Sequence, residues 1–114
     1  MSRSQSKVTA FSEYSAFSGT PAECQHHLIF GNGLHKLADQ DGLTIGLLNK
    51  EHNMSSNGTV NQLHDNPPAE KLSKMLGQAI WERNYWIEKS GIDFDKAQGE
   101  CRAAFMCRYG RSFL

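Results

Sequence analysis

The apolar positions of this chain change rhythm twice. Over the first twenty residues they come singly, Phe11, Tyr14 and Phe17 among serines and other polar residues, which predicts an irregular arm over residues 1–20 pinned at a few points. Two short apolar runs follow. His27-Leu28-Ile29-Phe30, stopped by Gly31 and Gly33, and Leu43-Thr44-Ile45-Gly46-Leu47-Leu48 both read as strands, with a loop or helical turn over residues 34–41 between them. From Pro67 the spacing becomes three and four. Leu72, Met75, Leu76, Ala79 and Ile80 then mark one face of an amphipathic helix that runs to about residue 89, where Ser90 and Gly91 stop it. Met75, Leu76, Ala79, Ile80 and Trp81 are expected in the core. Asp93 suits the N-cap of a second helix with the stripe Ala97, Cys101, Ala104 and Phe105, ending at Gly110. A hairpin followed by C-terminal helices makes the fold class α+β, with the arm preceding one domain over residues 21–114.

Composition narrows the partners. At 114 residues the chain holds one small domain with a thin core, which a bound metal would help to stabilise. Lys plus Arg and Asp plus Glu both count 12, so no whole-chain field draws it to polyanions or membranes, and any nucleic-acid affinity must come from a local patch. No apolar stretch is long enough to cross a bilayer, and the first residues lack the apolar middle of a secretory signal; the expectation is a cytoplasmic protein without a membrane partner. Cys24, Cys101 and Cys107 form no CxxC pair, so free thiols are expected rather than a disulfide framework or a cysteine zinc site.

The five histidines carry the chemical signal. His26, His27, His35, His52 and His64 all precede the helices, and imidazole both binds first-row divalent metals and serves as a general base near neutral pH. His35, in GNGLHKLAD, reads as a solvated loop residue. His26 and His27 are consecutive. A strand sends consecutive side chains to opposite faces, so the pair converges on one site only where the strand ends, twists or bulges, and the nearby glycines fit such an end. The C-terminal CRAAFMCRYGRSFL holds Arg102, Arg108 and Arg111 without an acid and interleaves Phe105, Tyr109 and Phe113. That mixture suits phosphate contact and base stacking as well as it suits anchoring of a chain end. Arg108 and Arg111 are therefore candidate nucleic-acid contacts, with Lys36 a weaker one.

Taken in order, HHLIFG, the strand GLTIGLL, KEHNMS, the segment from Gly58 to His64, the helix KLSKMLGQAIWE and the ending RYGRSFL resemble the HNH nuclease superfamily, whose core is a small ββα metal fold. The likeness is closer still to small phage-type members and covers residues 23–114. The resemblance implies that His27 is the general base and that His26, His52 and His64 hold one divalent ion, whether Mg, Mn, Ni or Zn. DNA is the implied substrate, with RNA open. Three departures stand out. The family's middle Asn, which orients the base, corresponds to Leu43, leaving Asn49 and Asn53 as substitutes or simple turn formers; His52 and His64 are separated by a glycine-bearing segment; and bracing CxxC pairs are absent. The leading expectation is a metal-dependent endonuclease that hydrolyses DNA phosphodiesters. A catalytically silent nucleic-acid-binding protein and a zinc-stabilised interaction module are its rivals.

Overall fold

The computed structural model describes residues 6–31, 33–52, 63–64, 66–89 and 94–114, apart from the side chains of residues 94–96 and 98. Asn53, Gly58, the Ser90-Gly91 stop and the Asp93 cap lie outside the described residues. Strands β1 (Cys24–His27) and β2 (Thr44–Leu47) form a two-stranded antiparallel sheet, with helix α1 (Leu34–Gln40) between them. A single helical turn, α2 (Asn49–His52), follows β2, and the long helices α3 (Pro67–Glu88) and α4 (Phe94–Tyr109) complete a small α+β fold. None of the described helices is long and apolar enough to cross a membrane.

The first strand begins and ends three residues earlier than the apolar run predicts. Its register pairs Cys24 with Leu47 and His27 with Thr44, so the histidine pair closes the strand instead of opening an apolar one. Leu28 still donates its N–H to the Leu43 carbonyl, after which the chain bends away. The hydrophobicity of Leu28 and Ile29 answers to burial on irregular backbone, since both sit in the central cluster with Ala38, Leu43, Phe105 and Tyr109. Periodicity cannot separate a buried irregular run from a buried strand.

Helix α3 starts where sequence places it. Asn66 accepts a hydrogen bond from the Ala69 N–H, and Pro67 and Pro68 occupy positions whose N–H groups have no helical acceptor. Its inward face is different from the expected one. Leu72, Leu76 and Ala79 are exposed, while Ser73, Gly77 and Gln78 are buried and Ile80 and Trp81 pack against the core. The helix is turned by about one residue, roughly 100°. Two contacts fix that rotation. A side chain at Gly77 would place its Cβ 2.7 Å from Ile29, so only glycine lets α3 approach the chain leaving β1, and Ser73 is hydrogen-bonded inward. On α4 the expected stripe is the buried one, with Ala97, Cys101 and Phe105 joined by Tyr109.

The arm is held by polar atoms. Phe11, Tyr14 and Phe17 are exposed, whereas Ser6 Oγ donates to the Thr44 carbonyl at 2.7 Å and Ser15 Oγ to the buried Glu51 carboxylate at 2.6 Å. Gly46 lets the arm cross β2, because a Cβ there would meet the Ser12 and Tyr14 carbonyl oxygens. Glu51 also accepts the Leu48 N–H at 2.8 Å, closing the α2 turn that carries His52.

Candidate metal centre

Three histidines from three places in the chain meet at one point. His26 comes from the end of β1 and His52 from the last position of α2. His64 lies on the turn before α3. The Leu63 and His64 N–H groups bond the Glu51 and His52 carbonyls at 2.8 and 3.1 Å, which lays that turn along α2 despite the sequence distance. One nitrogen from each ring lies within 4.8 Å of the other two, and the His52 and His64 Nε2 atoms are 2.9 Å apart.

Hydrogen bonding decides which nitrogen of His26 is available. Ser73 Oγ donates its proton to the Leu28 carbonyl at 2.7 Å, so at 2.8 Å from His26 Nε2 it can only accept, and Nε2 carries the ring proton. Nδ1 is then a bare acceptor. It is buried without a partner, and the residue as a whole is fully inaccessible. A native fold rarely leaves such an atom unanswered unless something else answers it. His64 repeats the arrangement more loosely, its Nδ1 facing the Glu70 carboxylate at 3.4 Å and its Nε2 turned to the cluster. A carboxylate or hydroxyl behind a ligand imidazole is the usual way to fix its tautomer and direction.

Electrostatics keep His26 and His52 neutral. Burial, followed by the neighbouring His52 and His64, pushes the His26 pKa down to about 2. Burial and then His64 bring His52 down to about 4. At neutral pH both rings therefore offer lone pairs without first losing a proton. Three imidazoles that each bring a nitrogen within 4.8 Å of the other two, one of them with its own Nδ1 buried and unanswered, fit a single divalent ion. These side chains could hold a metal; among the described residues they are the one His, Cys, Asp and Glu grouping that meets this geometry.

His27 lies on the other face of β1. Its Nε2 is 2.9 Å from Asp39 Oδ1, and its ring centre is 3.7 Å from that of His35. Burial lowers its pKa, and the hydrogen bond to Asp39 works against that shift. The pair thus divides, His26 to the three-ring cluster and His27 to α1. It remains near enough that His27 contributes to the lowering at both His26 and His52.

The candidate nucleic-acid residues scatter. Lys36 is exposed on α1, and Arg111 is exposed with its guanidinium 4.6 Å from the centre of the Phe113 ring. Arg108 has a different partner from the one expected. Its Nε and a terminal nitrogen both donate to the Asp41 carboxylate at 2.7 Å, because the turn after α1 brings Asp41 between α3 and α4, where Trp81 of α3 and Tyr109 of α4 donate to it as well. Of the interleaved aromatics, Phe105 and Tyr109 belong to the core. Arg102 is paired with Glu82 at 2.8 Å.

Sequence reasoning misses Ser73, Glu70 and Asp39. Glu70, Ser73 and Gly77 recur at three-and-four spacing, but a polar stripe carries no hydrophobic signal. Asp39 was findable: it stands four residues after His35, which puts the two on one helical face. Leu43, where the resemblance would place an orienting Asn, is a fully buried core residue. No protein-family model, curated protein or solved structure matches the chain.

Proposed function

We propose that the chain is a metal-dependent endonuclease that hydrolyses DNA phosphodiesters on an HNH-type ββα core. The observation that carries this reading is the division of the histidine pair. A structural metal needs ligands alone, whereas here a ligand candidate, His26, is followed by a second histidine that a carboxylate holds and that lies near enough to the cluster to lower the pKa of His26 and His52. Asp39 accepts the His27 Nε2 proton and leaves Nδ1 as the free base, so it supplies the orientation that Leu43 cannot.

In this reading His26 Nδ1, His52 and His64 hold the ion. A divalent ion in that place supplies Lewis-acid relief of charge on the scissile phosphate and its leaving oxygen. His27 takes the proton of the attacking water at Nδ1, and Asp39 stabilises the imidazolium that results. Its lowered pKa keeps His27 unprotonated, and therefore basic, at neutral pH.

The test is nicking of supercoiled plasmid with Mg²⁺, Mn²⁺, Ni²⁺ or Zn²⁺. Wild type should nick with at least one ion, and His27→Ala should lose about 100-fold or more while still binding metal. Absence of nicking with every ion would overturn the reading for duplex DNA. A second reading has its own support: Leu72, Leu76 and Ile87 are exposed on α3, as a zinc-stabilised interaction module would require. That module would show metal-dependent stability without nicking, and a catalytically silent binder would add DNA affinity to the same result.

A further inference from the structure

We propose that Lys74 and Arg111, poised on the rings of Phe30 and Phe113, form a track that carries the phosphodiester backbone of one DNA strand away from the three-histidine centre. The inference rests on the endonuclease reading and adds a substrate path to it. The track is continuous. The Phe30 ring packs edge-on against His64 at 4.5 Å and His26 at 5.6 Å; the Lys74 ammonium stands 4.6 Å from the Phe30 centre and 5.8 Å from the Phe113 centre; and the Arg111 guanidinium lies 4.6 Å from that same Phe113 ring. It joins the loop after β1, the middle of α3 and the tail after α4.

What separates these cations from their neighbours is the partner that positions them. Arg102 and Arg108 are placed by carboxylates, Glu82 and Asp41, which cancel their charge. Lys74 and Arg111 are placed by aromatic faces, which hold a cation but leave its charge intact and N–H groups available. Neither forms an ion pair with a described carboxylate. Glu70, one turn before Lys74 on α3, faces His64. The tail is also fixed in position: Gln78, fully buried, donates to Ser112 Oγ at 3.0 Å and accepts the Phe113 N–H at 2.5 Å. A chain of zero net charge has no global attraction for a polyanion, so a local pair of uncancelled cations beside the metal centre is where a backbone would be gripped. Such contacts position a strand without reading its sequence.

Binding of a short fluorescein-labelled DNA duplex, followed by fluorescence anisotropy in EDTA so that no cleavage occurs, tests the track. Relative to wild type, the double variant Lys74→Gln/Arg111→Gln should bind at least fivefold more weakly at low salt. The slope of log affinity against log salt should fall by about 0.9 for each lost phosphate contact. Arg108→Gln should leave that slope unchanged, and the double variant should keep its metal affinity. A single-stranded probe of the same sequence should lose affinity in parallel, since the contacts are to one strand. An unchanged slope in the double variant, or no DNA binding by wild type, would overturn the track. Plasmid nicking by the same preparations separates that failure from failure of the endonuclease reading.

Discussion

Two polar clusters grip helix α3, one through Ser73 and one through Trp81, about 12 Å apart along the helix axis, and they are built on opposite principles. At Asp41 a carboxylate receives the Trp81 indole at 2.9 Å, two nitrogens of Arg108 at 2.7 Å and the Tyr109 hydroxyl at 2.7 Å. Its charge is balanced by the Arg108 guanidinium, and Trp81 and Tyr109 donate to it as well. The hydrogen bond to Asp41, above all, raises the Arg108 pKa, and burial followed by Asp41 raises that of Tyr109, so both stay protonated at ordinary pH. At His26 three imidazoles face one another, and one nitrogen has no partner at all. The first cluster is complete as folded and ties the end of α1 to α3 and α4. The second has an excess of lone pairs, which is what a cation site looks like before the cation is counted.

The sharpest way to break this contrast is to empty the complete cluster. Asp41→Ala should strip the counter-charge from Arg108 and the acceptor from Trp81 and Tyr109, destabilising the fold by about 3 kcal/mol in urea unfolding. Metal affinity should stay within about twofold of wild type, the two clusters sharing no residue. A loss below about 1 kcal/mol would show that Asp41 is not the fold's anchor.

Filling the incomplete cluster should act in the opposite direction. Free metal at 100 times its dissociation constant should stabilise the protein by about 2.7 kcal/mol, seen as a raised melting temperature. His52→Ala should abolish the increment. Equal stabilisation of that variant would place the metal elsewhere.

Removing support behind a ligand is a smaller change. Ser73→Ala frees His26 Nε2 and should weaken metal binding by about 10-fold to 100-fold without removing a ligand. Unaltered affinity would mean that packing alone aims the ring.

The mildest effect is that of pH on the metal-free protein. His26 and His52 have folded-state pKa values near 2 and 4, below the ordinary 6.5, so the unfolded chain takes up protons first as pH falls through 6.5. Stability present above that pH should therefore decline on acidification, by about 1 kcal/mol between pH 7 and pH 6. His27 shifts in the same direction. A urea midpoint that does not move over this interval would contradict the burial assigned to these rings.

Much of the helical half was legible in the sequence, because the α3 start at Pro67, the α4 end before Gly110 and the α4 stripe obey local rules. The face of α3 was not. Leu72 and Leu76 make the better apolar stripe, and what overrides them is a close approach at Gly77 and a hydrogen bond at Ser73, neither of which has a hydrophobic signature. At the candidate site the residue types were readable and the wiring was not. Histidine content marked the residue type and the resemblance picked out His26, His52 and His64, but which nitrogen is free depends on Ser73, and which face His27 takes depends on where β1 stops. Arg108 looked like an unpaired cation because its partner lies 67 residues away in sequence.

The most direct test follows the imidazole nitrogens themselves. Metal-free protein labelled with ¹⁵N, titrated with Zn²⁺ near neutral pH, should begin with His26 as the Nε2–H tautomer and reach saturation at one ion per chain. Saturation should displace the Nδ1 resonance of His26 together with resonances of His52 and His64, while those of His35 stay in place. A titration in which no resonance moves, or one that saturates with His26 Nδ1 unchanged, would contradict the three-histidine centre.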